Sequence, residues 1–375
     1  MIFLKQIELV NYRNHNDSTF KFQHLINCFT GSNGTGKTNL LDAIHYLSFT
    51  KSFLNSIDSQ NIKNEQDFFV IRGDFQIHEQ DVSIFCGQKR NQKKQFKFNK
   101  KEYEKLSDHI GKIPLVLIAP SDIQLISEGS EERRKFMDSV ISQYDKAYLD
   151  DLISYNRLLN QRNTWLKQAA RRDQNDWSLV HILDEQMNVF ALRIHQKRQE
   201  FMDQFLPLFR RFYALIAQDQ ESAEICYQSQ LFEADFVLLC DERRRKDLAL
   251  EYTSAGIHKD DLLFTINGQA LKKQASQGQQ KSFIIALKLA QFDFIDQKSG
   301  TKPLLLLDDI FEKLDQNRIT QIIRLVSESH FGQIFITDTH RDRIAAILDG
   351  IGVKYAIFEL EQQEKHRIKH DQVQP

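Results

Sequence analysis

The chain reads as an α/β body with a P-loop and a mixed sheet, interrupted by an inserted helical arm. Three observations predict this: a glycine-rich loop set between an apolar run and a helix near the N-terminus, a stretch over 131–250 with no glycine and the single proline Pro207, and the return of strand-like apolar runs after it. With 375 residues and 41% apolar side chains the chain can build a large core and more than one domain. The expected division is 1–125 for the first part of the body, 126–250 for the arm and 251–375 for the rest of the body.

Taken in order, Phe20 to Phe22, Leu25 to Phe29, Phe68 to Phe75, Val82 to Phe85 and Phe96 to Phe98 are short and rich in aromatic or β-branched residues, so they read as strands. One helix interrupts them, beginning at Lys37 and carrying Leu40, Leu41, Ile44 and Leu47. In the arm Phe201, Phe205, Leu208, Phe212 and Ile216 lay one apolar stripe along a helix, with Pro207 as the place for a kink. Beyond 250, Leu262 to Gly268 reads as a strand, Ser282 opens an apolar helix, Leu304 to Leu307 and Ile334 to Thr337 read as strands, and the polar tail after Glu361 is expected to fray.

The formal charge is −1, from 50 basic and 51 acidic residues, so a polyanionic partner would have to be met by a local patch. Basic clusters occur in the arm at Arg133-Arg134-Lys135, Arg171-Arg172, Lys197-Arg198, Arg210-Arg211 and Arg243 to Lys246; any one of them is more often a solvated helix face than a contact. Cys28, Cys86, Cys226 and Cys240 show no C-x-x-C spacing, which argues for free thiols in a reducing compartment and against zinc. No leader and no apolar run of spanning length is seen, and the expected location is the cytoplasm.

Gly31-Ser32-Asn33-Gly34-Thr35-Gly36-Lys37-Thr38-Asn39 contains G-x-x-x-x-G-K-[ST]. The glycines let successive N–H groups turn inward around a phosphate, Lys37 would reach the β- and γ-phosphates, and Thr38 would ligate Mg²⁺. A strand before and a helix after are what such a loop requires. Leu304 to Leu307 then deliver Asp308 and Asp309 at a strand end: Asp308 would hold Mg²⁺, and Asp309 would polarise the attacking water. Alone, that pair could also read as a helix cap, the less favoured of the two readings. Two weaker signals are the polar turn Ser276-Gln277-Gly278-Gln279-Gln280-Lys281-Ser282, which looks like a second phosphate site, and His340 at the end of "ITDTH", which could contact a γ-phosphate although a lone histidine is more often structural.

In order, these motifs resemble the ATP-binding-cassette (ABC) ATPases of the SMC and Rad50 kind, and within them the branch that serves bacterial recombinational repair. "LVNYRN", "GSNGTGKTN", "PSDIQLISEGSEERRKFMD", "GIHKDD", "SQGQQKS" and "LLLLDDIFEKLD" carry the resemblance over nearly the whole chain. It implies an ABC-type ATPase head with ATP and Mg²⁺ as cofactors, Arg13 near the nucleotide, and Ser276, Gly278 and Gln279 acting in trans on the ATP of a second subunit, with Asp315 in the loop that crosses the same interface. ATP would thereby join two heads, the homodimer would bind double-stranded or gapped DNA with weak, DNA-stimulated hydrolysis, and recombination mediators such as RecR and RecO would be recruited. Asp309 stands where general ABC ATPases carry Glu, which implies slow turnover. Asp122 and Gln124 lie where a Q-loop residue is expected. About 240 residues separate Lys37 from Gly278, too many for a transporter motor and too few for a long coiled coil. A transporter motor ATPase with a membrane partner is the alternative from a different class.

Overall fold

A computed structural model of the chain describes residues 1–172, 177–217, 221–310, 316–327 and 331–361. They form two compact units, one made of Met1–Asp122 and the chain from Gln277 onward, the other of Ile123–Ser276. The first, the head, holds two sheets. A six-stranded antiparallel sheet runs in the order His15–Lys21, Ile2–Tyr12, Phe68–Ile77, Gln80–Lys89, Gln95–Phe98, Lys101–Glu102. A five-stranded parallel sheet runs in the order Tyr355–Glu359, Ile26–Thr30, Ile334–Asp338, Leu304–Asp308, Leu115–Ile118.

The three central parallel strands are buried at every position, as strands covered on both faces must be. The Lys37–Phe49 helix packs against both sheets, so Leu40, Leu41, Ile44 and Leu47 share one core with Ile7, Leu9, Ile71 and Ile84 on one side and Leu304, Leu306 and Phe335 on the other. Its apolar residues therefore surround it. Ile2–Tyr12 escapes sequence reading because its alternation slips: a register shift between Leu4 and Gln6 lets Ile2, Leu4, Ile7 and Leu9 all face the core. Gln333 ties the sheets together there. Its side chain, fully buried, accepts from the Leu4 N–H at 2.7 Å and donates to the Leu4 carbonyl at 3.0 Å.

The second unit, the arm, contains the helices Ser130–Ser142, Lys146–Arg172, Ser178–Ala217 and Phe236–Leu250, with a three-stranded antiparallel sheet of Ala223–Gln228, Asp261–Ile266 and Gln269–Ala270. Asp261–Ile266 pairs along its length with Ala223–Gln228. The chain therefore returns to the head at 276/277, where the sequence reading puts the seam at 250/251. Ala223–Gln228 is a strand inside expected helical territory. The apolar stripe of the 40-residue helix passes through Phe209, fully buried, rather than the half-buried Leu208, and the helix continues through Pro207.

Two arginines lie fully buried in the arm. Arg162 pairs with Asp184 at 2.6 Å and Asp247 at 2.7 Å. Arg198 pairs with Asp260 at 2.6 Å and Asp138 at 2.8 Å and donates to the Ile257 carbonyl at 2.8 Å. The "GIHKDD" stretch belongs to this interior: Asp260 also accepts from Tyr227, His258 bonds Tyr155 and the Thr253 carbonyl, and Asp261 pairs with Arg133.

Candidate nucleotide site

Strand Ile26–Thr30 runs into the loop at Gly31, and the Lys37–Phe49 helix leaves it. Gly31, at φ +145°, has no room for a side chain, because a Cβ there would stand 2.3 Å from the Leu360 carbonyl oxygen. Gly36, at φ +100°, would bring a Cβ within 2.7 Å of the Asn14 amide and 2.9 Å of His15 Nε2. The helix has neither a side-chain cap nor an acidic residue in its first turn, which leaves its leading N–H groups for an anion. Lys37 Nζ donates to the carbonyls of Gly31 at 2.6 Å and Ser32 at 2.9 Å, so its ammonium lies in the loop. Burial pulls that ammonium below the ordinary lysine range, against the carboxylates of Asp309, Asp308 and Asp338, which favour its charge.

Four consecutive side chains, Tyr12 to His15, hold this loop and its helix. Tyr12 donates to Asp42 at 2.6 Å, Arg13 reaches Asp42 at 3.1 Å and Ser52 at 3.1 Å, Asn14 donates to the Gly34 carbonyl at 3.2 Å, and His15 lies 3.2 Å from the Gly36 carbonyl. Asn39 donates to Asn14 at 2.7 Å. Asp42, fully buried on the loop helix, also accepts from Ser52 and the Phe53 N–H. The motif "NYRN" thus places Arg13 beside the loop helix, and the sequence reading did not single out Asp42, its partner.

The Walker-B strand Leu304–Asp308 ends next to the loop. Asp308 Oδ1 accepts from Thr38 at 3.0 Å and from Thr337, on the neighbouring strand, at 2.7 Å. Burial pushes the Asp308 carboxyl up, and the hydroxyls of Thr337 and Thr38 pull it down. Asp309 follows in a left-handed turn, φ +46°, with its N–H donating to Thr337 at 2.9 Å. Thr38 and Asp308 bring hard oxygen donors together, and a cation there would offset the burial of the carboxylate, so the residues fit Mg²⁺. Among the described residues no three of His, Cys, Asp and Glu converge on a metal site.

His340 is exposed at the N-cap of Arg341–Ile351, its N–H bonded to Asp338, which is held in turn by Arg343. Gln277–Ser299 is a helix from its first residue, so "SQGQQKS" is a helix start with the expected opening at Ser282 moved upstream. Ser276 is exposed just before it, and Gly278 and Gln279 are half-buried in its first turn. Asp122 accepts from the Ala119 N–H and pairs with Lys288 at 2.7 Å, while Gln124 is exposed. Asp315 and the side chains of Arg171 and Arg172 lie outside the described residues.

The arm's basic clusters are largely engaged at home. Arg198 is buried, Arg133 pairs with Asp261, Arg134 donates to Ser130 and the Asp260 carbonyl, Lys135 pairs with Glu131 and Glu132, Lys197 with Asp145 and Glu200, Arg210 with Glu224, and Arg244 with Asp241. A cluster the sequence reading passed over lies in the head. Seven bases occur between Lys89 and Lys101 with no acidic residue among them. Lys89, Arg90, Lys93, Lys100 and Lys101 are exposed, while Lys94 is tied to Asp58. The signal was a charge run, hidden because Phe96 and Phe98 mark the segment as a strand.

A glycine loop feeding a buried helix, with an acidic strand end bonded to its threonine, defines a P-loop nucleotide-binding head of ATP-binding-cassette architecture. The family profile described as RecF/RecN/SMC N terminal domain matches residues 3–364. A protein of Flavobacterium johnsoniae described as DNA replication and repair protein RecF is 50% identical, covering 95% of this chain and 99% of its own length, and one of Phocaeicola vulgatus with the same description is 49% identical over 97% and 98%. A solved structure described as the recombination mediator protein RecF-ATP in the RecFOR pathway superposes with a TM-score of 0.86 at 30% identity, over 96% of each chain. A Smc head domain from Pyrococcus furiosus shares the fold, with a TM-score of 0.57 at 17% identity. The chain belongs to the RecF family. Among the described residues no helix is long and apolar enough to cross a membrane.

Proposed function

We propose that this chain is an ATP-switched DNA-binding protein of recombinational repair, acting in the cytoplasm. Two heads loaded with ATP close on each other over double-stranded or gapped DNA, and slow hydrolysis to ADP and phosphate, stimulated by DNA, releases them. The observation that carries the reading is the meeting of Thr38 with Asp308 at 3.0 Å, which joins the phosphate loop to the Walker-B strand. Lys37 and the loop N–H groups bind phosphates, and Thr38 and Asp308 would hold Mg²⁺, which neutralises phosphate charge when bound. Asp309 orients or deprotonates the attacking water, with His340 near the γ-phosphate. Ser276, Gly278 and Gln279 complete the site of the opposing subunit, with Asp315 across the same interface and Arg13 on the nucleotide side. The exposed bases of the Lys89–Lys101 segment offer the polyanion contact that a net charge of −1 does not supply. RecR and RecO are the partners this reading recruits. A transporter motor draws no support from relatives whose descriptions speak of DNA repair.

Sedimentation with and without ATP and duplex DNA tests this. ATP should shift the wild type to a dimer, and DNA should co-sediment with it. If only the dimer binds, ATP at 100 times its Kd adds about 2.7 kcal/mol per site. Lys37→Ala should stay monomeric under the same conditions; a dimer fraction equal to the wild type's would sink the ATP-joined dimer.

A further inference from the structure

We infer that Thr337 is a positioning residue for ATP hydrolysis, its one hydroxyl fixing both members of the Asp308–Asp309 pair. This rests on the ATPase reading above. Thr337 lies on Ile334–Asp338, in register with Asp308 on the adjacent parallel strand, and is 1% exposed. A fully buried strand position accepts Val, Ile or Thr alike, and the neighbouring Ile334 and Ile336 show which residues this strand takes for packing. A hydroxyl there costs stability unless it is bonded, so the threonine needs another reason.

The bonds supply it. The Asp309 N–H can only donate, so the Thr337 oxygen accepts it at 2.9 Å, and the hydroxyl proton is left for Asp308 Oδ1 at 2.7 Å. One side chain thereby aims the carboxylate assigned to the metal and anchors the backbone of the residue assigned to the water. The anchor matters because Asp309 sits at φ +46°, in the left-handed region that residues with a side chain seldom adopt. Without the acceptor, that turn has lost a bond that opposes its relaxation. The sheet itself remains intact, since the ladder of Ile334–Asp338 to both neighbours is made by backbone groups.

Two variants separate the hydroxyl from the methyl. Thr337→Val keeps the shape and removes the bonds; Thr337→Ser keeps the bonds and removes the methyl. In nucleotide-free protein, Thr337→Val should speed exchange of the Asp309 amide about tenfold or more. With ATP and Mg²⁺ it should lower kcat about tenfold or more and leave KM for ATP within about threefold. Thr337→Ser should restore both readouts. Unchanged exchange and turnover in Thr337→Val, or a Thr337→Ser protein as impaired as Thr337→Val, overturns the role. A wild type without turnover overturns the ATPase reading and this role together, whereas equal turnover in wild type and Thr337→Val overturns this role alone.

Discussion

The head and the arm bury different chemistry. In the head, Phe22, Phe29, Phe335 and Phe358 pack ring to ring, with Phe22 and Phe335 centroids 5.0 Å apart, and the loop helix adds an aliphatic shell. Buried charge there lies about the nucleotide loop, at Lys37, Asp42, Asp308 and Asp338, and on the Gln277–Ser299 helix, at Lys288 and Asp293. The arm carries Arg162, Arg198, Asp184, Asp247 and Asp260 through its middle. Most buried charge of the head thus borders the nucleotide loop, whereas that of the arm pairs one helix with another or with the turn before Asp261–Ile266, and its partners tell the two apart.

The sharpest way to break this contrast is Arg198→Met. It removes the cation that Asp138 and Asp260 share and leaves the buried Asp260 carboxylate without its counter-charge, a change that typically costs about 3–5 kcal/mol. Chemical denaturation should show the arm's transition falling while ATP binding by the head persists below it; a loss below about 1 kcal/mol would mean that the pairs are not holding the arm together.

Acid tests a feature the units share. His109 in the head and His258 in the arm each give Nε2–H to a backbone carbonyl, of Leu47 and Thr253, and face a tyrosine hydroxyl, of Tyr103 and Tyr155, with Nδ1. Burial pushes both down to about 4, helped by Lys112 at His109 and by Lys259, Arg134 and Arg162 at His258. A histidine depressed in the folded state is protonated first in the unfolded chain, so stability is intact above about pH 6.5 and falls as the pH drops toward about 4, where the loss levels off. For His109 the loss amounts to about 3 kcal/mol. Equilibrium unfolding from pH 7.5 to 4 should show both units weakening in this window, and a flat profile would refute it.

The smallest effect concerns charge at the surface. Lys89→Glu with Lys93→Glu reverses exposed bases of the head, and duplex DNA affinity should fall about tenfold with a shallower salt dependence. Arg210→Glu, in the arm, reverses a base already paired with Glu224 and should change affinity less than about twofold. The opposite ranking would move the DNA contact from head to arm.

The residues legible in advance were those whose neighbours in space are neighbours in sequence. The glycine loop, its helix and the apolar run ending in Asp308 could each be read from a dozen consecutive residues. Thr337, Asp42 and Gln333 could not, because each acts through a partner that only the sheet order brings near: Asp308 from the next strand, Arg13 from the first hairpin, Leu4 from the other sheet. Arg198 misled for the reverse reason. A Lys-Arg pair on a helix looks solvated, and nothing local announces that one of the two points inward. The strand Asp261–Ile266 was recognised as a strand and placed in the wrong unit, since its character is local and its partner is not.

The bond between Gln333 and Leu4 spans 329 residues, which gives it a meaning on the ribosome. At about 5–20 residues per second, the first strand is made roughly 15–65 s before the side chain that secures it. The strand that carries the nucleotide loop waits about as long, because its sheet neighbours are Ile334–Asp338 and Tyr355–Glu359. Residues 123–276 emerge as one uninterrupted stretch in between. The arm can thus be finished while the head is half made, and a growing chain acquires its nucleotide site only once Ile334–Asp338 and Tyr355–Glu359 have been made.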